Sequence, residues 1–409
     1  MNRTLNPRLW LFLGLAIFAG SHLALIHHYG WVDTWRWWHV PSRAVPFSDL
    51  RVITGASDSV ERGFNPRENN PGAPFGQRFN QTNVWLWMGE LGLRERHSPV
   101  VGVVLLAGYL VGLWWLATGI SGWAIVLLVP LLISPAALLA VERGTTDLSV
   151  FFLLALAGHR VAAAPRGAFA AVLAGFWLKL FPLAGVVLFL REPRKRALRL
   201  GLLAFALVAL FCALNFRELL DIGYKTEKGS HTSYGWAVFS LYLRAAGFTD
   251  GVRAVWIAGL VLALLGLSLA GWTGRAAPTP AAGRPLDFFR IGAAVYAGTF
   301  LLGASWDYRF IFTLFLIPQL AEWALGGDPS LRRWSRGLLV ALFIAVWSLA
   351  LKDWAGDSSV ARTAMRALEE AAKWALFYGC VHLLARTLPV WLKPGRVTPR
   401  TDGSIPATP

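Results

Sequence analysis

An aspartate at position 49 stands in the run Phe47-Ser48-Asp49-Leu50-Arg51-Val52-Ile53-Thr54-Gly55-Ala56, with Asp58 a few residues further on. Polar sequence rich in glycine and asparagine follows, first Gly63-Phe64-Asn65-Pro66 and then Phe79-Asn80-Gln81-Thr82-Asn83. A carboxylate so placed can take a proton from a reacting hydroxyl, and it can equally be a solvated loop residue or a helix cap; spacing alone leaves both open. Lys179 and Pro182 interrupt an otherwise apolar run. A lysine there needs a partner or a polar cavity, unless it snorkels to the surface. Glu142, Arg143 and Asp147 cluster at a helix entrance, either as a structural charge group or as the floor of a cavity. Ser305-Trp306-Asp307-Tyr308-Arg309 reads as a site segment, or as an interfacial aromatic belt with a snorkelling arginine.

Other chemistries find little support. Cys212 and Cys380 both lie in apolar stretches, and neither a CxxC pair nor an HExxH pattern occurs. They read as small buried hydrophobes. The chain has 409 residues, 56% of them hydrophobic and only 15% charged, against roughly 25% charge in a soluble domain. The formal charge of +16, from 39 Lys+Arg against 23 Asp+Glu, sits in short runs between apolar stretches. Nucleic acid is therefore not the expected partner; basic cytoplasmic loops of a membrane protein are.

Apolar runs that could position these residues fall near 9–27, 99–118, 121–140, 147–163, 167–190, 198–214, 254–272, 288–304, 308–324, 337–352 and 369–388. A bilayer crossing takes about 20 such residues, so the expected fold is an all-α polytopic membrane protein of about 11–12 transmembrane helices. The first run is as long as a full span and shows no A-x-A-like cleavage site, so it reads as an uncleaved helix with its basic end in the cytoplasm. If 167–190 crossed once, the basic run 191–199 would fall outside. Two short helices turning back at Lys179–Pro182 remove the conflict. The loops 191–199, 275–284, 332–336 and 393–400 then all lie on the cytoplasmic side. The extracytoplasmic side receives the large first loop, 28–98, the second loop, 215–253, the Ser305–Arg309 turn, and a surface helix over 352–369. Trp31–His39 reads as an interfacial helix.

The D-L-x-V-x-x-G-A-like stretch after the first span resembles the glycosyltransferase-C superfamily. It looks most like the branch of polyprenol-phosphate-mannose-dependent mannosyltransferases, glycosyltransferase family 87. Three more stretches fit in order: Arg143-Gly144-Thr145-Thr146-Asp147-Leu148 resembles that family's Gly-x-x-Asn/Asp-Leu element, Lys179-Leu180-Phe181-Pro182 its K-x-x-P segment, and Ser305–Arg309 its Ser-Trp-Asp-His-His stretch. Tyr308 and Arg309 stand where the family carries two histidines, a departure that puts the sugar or lipid handled in question.

The resemblance implies a bacterial plasma-membrane enzyme. It would move a hexose, mannose by default, from a polyprenyl-phosphate donor to a lipid or glycan acceptor on the extracytoplasmic face. Asp49 is then the expected base, with Asp58 the runner-up, and inversion follows from a single base. Lys179, Arg309, His231 and Arg51 are the candidate phosphate ligands, and Glu142, Arg143, Asp147, Trp306, Asp307 and Tyr308 the cavity wall. Such a donor lacks the diphosphate that usually recruits a metal and no Asp-x-Asp occurs, so neither metal nor cofactor is expected. Residues 1–390 read as one transmembrane catalytic domain and 391–409 as a basic, disordered cytoplasmic tail. The rival reading is a transporter or flippase, which would also have many spans and a broken helix with a buried lysine.

Overall fold

The computed structural model describes residues 6–226, 229, 231–280, 282–326, 328–356 and 358–393. The tail beyond Lys393, expected to be disordered, lies outside the described residues. The protein is nearly all-helical, as the absence of strand-like alternation requires. Among the described residues, five helices are long and apolar enough to cross a membrane: Pro7–Tyr29, Glu95–Leu116, Arg194–Leu214, Val252–Ala276 and Pro329–Trp354. A sixth candidate, Gly122–Leu132 with Pro135–Arg143, bends by 61° where Ser134 caps the second helix. The other expected segments are shorter or composite elements, except the last, which lies within the 28-residue helix Ser359–Arg386.

The break at Lys179 takes the expected form. Pro165–Leu178 is an α-helix of 14 residues and Phe181–Arg191 a 3₁₀ helix of 11, so the two arms are about 21 and 22 Å long. Pro182 has no N–H and its ring opposes the carbonyl four residues back, which ends the helix at Leu178. Lys179 is extended, with φ −152° and ψ 142°. The carbonyls freed there are satisfied from the 28–98 loop: Thr82 Oγ1 donates to Trp177 O (2.9 Å) and Trp85 Nε1 to Leu178 O (3.0 Å).

Contacts sort the charged loops into two ends. At one end Arg8 reaches Thr118, Trp115 stacks on His159, and Gly158 packs on Phe288. Arg191 pairs there with Asp287, Arg290 donates to Thr387, and Arg386 pairs with Asp328. The returning 3₁₀ arm thus brings the 191–199 run to the end that holds the other basic loops. At the opposite end lie the 28–98 loop, Glu142–Asp147, Lys179 and Ser305–Trp306, the last pairing antiparallel with Ser233–Tyr234. A core of stacked phenylalanines, with Phe315 between Phe151 (4.4 Å) and Phe288 (5.7 Å), holds the central elements together.

One element differs from expectation. Residues 352–369 do not form a separate surface helix: Pro329–Trp354 contains the first of them, and Ser359–Arg386 runs on without interruption through Glu369. The long apolar and charged halves of that last helix are one rod.

Candidate active site

A cavity of about 400 Å³ opens at the end opposite the basic loops, lined by Arg43, Asp49, Arg143, Lys179, Trp306 and Tyr308 among others. Ser48–Glu61 presents Asp49 in its first turn, where a carboxylate is favoured by the helix dipole. That helix is mostly buried, and Gly55 and Gly72 let two backbones touch. A Cβ on Gly55 would lie 2.3 Å from the Gly72 carbonyl oxygen. The apposed loop carries Gln77, which accepts from Arg43 and closes one side of the cavity.

Arg143 ends the Pro135–Arg143 helix, and Gly144, at φ +57°, turns the chain toward Asp147. The Arg143 guanidinium lies 3.7 Å from Asp49 and donates to Pro41 O at 2.8 Å. Burial holds the Asp49 carboxyl above its ordinary range, and the charges of Arg143, Arg43 and Lys179 pull it partly back.

Beneath the cavity, Asp147 is fully buried and shared between two cations. Lys179 Nζ lies 2.5 Å from one carboxylate oxygen and Arg309 Nε 3.5 Å from the other. Arg309 also donates to Ser305 Oγ (3.0 Å) and stacks over Phe181, and the Tyr308 ring lies 5.9 Å from Lys179 Nζ. The three stretches around Asp147, Lys179 and Arg309, far apart in sequence, therefore meet as one buried ion triad. With two cations to one carboxylate its net charge is positive, directed at the cavity through Lys179.

Other sequence candidates sit elsewhere. Asp58 accepts from the Glu95 backbone N–H (3.1 Å) and faces Arg94 at 3.5 Å, while Arg51 donates to Pro46 O and pairs with Glu95. Both brace the first loop away from the cavity. Glu142 is buried and fixes the 42–43 turn through Ser42 Oγ and the Arg43 N–H, both at 3.0 Å. Asp307, at the start of the Asp307–Leu316 3₁₀ helix, pairs instead with Lys373 (3.4 Å), and His231 lines a neighbouring cavity. The sequence reading missed Arg43 and Gln77, which carry no motif. It also missed Lys373, which bonds Glu369 at 2.6 Å and Ser233 O at 2.7 Å. The i, i+4 spacing of Glu369 and Lys373 in an apolar helix was the available signal.

No protein-family model matches the chain. No curated protein matches it either. Among solved structures it is similar to ArnT from Cupriavidus metallidurans in the apo state, at 15% identity over 92% of this chain and 78% of that one, with a TM-score of 0.36. A likeness that low assigns no role to any residue; the roles rest on the geometry of the cavity itself.

Proposed function

We propose that the cavity is the transfer site of a membrane glycosyltransferase that takes a hexose from a polyprenyl-phosphate donor. The observation that carries this reading is Asp49: a carboxylate in the wall of a polar cavity, its proton affinity raised by burial, facing cations from three separate elements. A base and a cationic field in one cavity suit a reaction that removes a proton from one oxygen while another gains charge.

In the proposed reaction the acceptor hydroxyl attacks the anomeric carbon, and its proton passes to Asp49. The bond from that carbon to the phosphate oxygen breaks, and the phosphate leaves with the electron pair. Lys179, with Arg309 behind it, and Arg43 stabilise the charge that develops. One displacement inverts the anomeric centre. The donor's lipid chain stays in the bilayer, so the reacting phosphate arrives at the membrane end where Lys179 sits. Mannose as the sugar, a lipid or glycan as the acceptor, and an extracytoplasmic site with both termini cytoplasmic complete the proposal.

The test is transfer of radiolabelled mannose from polyprenyl-phosphate mannose to endogenous glycolipid, in membranes that contain the protein and in membranes that lack it. A labelled glycolipid of inverted anomeric configuration, made only with the protein, is the expected result. Sugar or lipid moved across vesicles without any new glycosidic bond would instead establish the transporter reading.

A further inference from the structure

A second cavity, of about 710 Å³, adjoins the first and shares Pro41 and Thr232 with it. Its charged lining comes from three elements: Arg36 from the 31–37 helix, Lys352 from the end of Pro329–Trp354, and Arg362 and Arg366 from the start of Ser359–Arg386. Asp353 is the one carboxylate among the described lining residues, and His39 lies against it at 2.8 Å. Arg366 is held in place rather than loose in solvent, stacked over the Tyr242 ring at 3.9 Å and 2.8 Å from His231 Nδ1. Lys352 donates to His231 O (3.2 Å) and pairs with Glu369 at 2.9 Å.

The described lining carries four cationic side chains against the one carboxylate of Asp353, an excess of positive charge that favours an anion between them, with Arg36 braced at the rim by Asp33 (2.9 Å). Guanidinium forks converging from successive turns of one helix match the tetrahedral oxygens of a phosphate. The positive field reaches His231, where burial first and then Arg366 and Lys352 hold the imidazole below its ordinary pKa.

We infer that this second cavity binds a phosphate-bearing group, held by Arg362 and Arg366 with Lys352 and Arg36 opposite. Its shared wall with the first cavity sets that group beside Asp49's cavity, where the phosphate of an acceptor would lie. That last assignment rests on the transfer reading, whereas phosphate binding does not.

Binding is therefore measured without any sugar donor. The full chain, in phosphatidylcholine nanodiscs, is titrated with inorganic phosphate and separately with short-chain phosphatidic acid, and calorimetry reads the affinity. The variants are Arg362→Gln with Arg366→Gln together, Thr363→Glu, which sets a carboxylate in the exposed wall, and Arg333→Gln at the opposite end as the control. Saturable binding of either probe is expected, weakened about tenfold or more by the double variant and by Thr363→Glu and unchanged in the control. Binding of both probes means the phosphate group itself is recognised. Phosphatidic acid alone makes the source a lipid headgroup, and inorganic phosphate alone a soluble ligand. Saturable binding of neither probe, or binding that Thr363→Glu leaves intact, overturns the inference. Saturable phosphate binding by a wild-type protein that transfers no sugar would count against the transfer reading and leave this one standing.

Discussion

Asp49 and Arg143 form the pair on which the proposed chemistry turns. As a base, Asp49 works only when ionised. Burial raises its pKa, so the rate of transfer should fall on acidification at a pH above the ordinary aspartate range near ~4. Arg143 lowers that pKa, and Arg143→Gln should move the acid limb to still higher pH. A pH–rate profile of the two proteins checks the sign: a limb that stays put or moves down would remove Asp49 from the role of base. The ion triad gives a separate expectation. Asp147→Asn leaves Lys179 and Arg309 buried without their shared counter-charge, a loss of about 3–5 kcal/mol by the usual cost of a broken buried pair. Thermal unfolding in detergent would show it, whether or not transfer occurs.

At the level of elements, the break at Lys179 could be found from charge alone, because a single crossing would have put a basic run on the wrong side. The proline named the place. The partners could not be found that way: Thr82 and Trp85 cap the broken helix from about a hundred positions upstream, and nothing in their local sequence marks them. The same holds for Gly55 and Gly72, whose backbones touch although they are separated in sequence and no pattern marks the contact. Gly55→Ala should force the 70–77 loop off the Ser48–Glu61 helix, costing about 1–3 kcal/mol in overpacking. Activity should fall while membrane insertion is retained. Limited proteolysis of the first loop reads the displacement, and an unchanged digest would contradict it. Asp58 and Arg51 illustrate the reverse limit. Their residue types suited the site, but the helix carries Asp58 to its far end and turns Arg51 toward Glu95.

Across the whole molecule, hydropathy and the positive-inside rule were enough to place the basic loops together, since both act through composition over whole segments. They could not say which apolar runs stand in lipid and which are buried among their neighbours. Phe181–Arg191 and Asp307–Leu316 both wind as 3₁₀ helices, and that tighter winding, at about 2.0 Å per residue, lets short segments cover more depth. The proposed orientation makes a further prediction. With Cys212 and Cys380 replaced, a cysteine at Glu68 should react with an impermeant maleimide in intact cells, and one at Lys195 only after permeabilisation. The opposite pattern would invert the topology and move the cavity to the cytoplasmic side.

The most direct test of the central claim is single-turnover transfer from polyprenyl-phosphate mannose by wild type and by Asp49→Asn, matched for expression and thermal stability. Removing a general base typically costs about 10²–10⁴-fold in rate. A loss of that size with donor binding retained is the predicted result. Transfer by the folded variant at the wild-type rate would contradict the account, because no proton acceptor would then be required at Asp49.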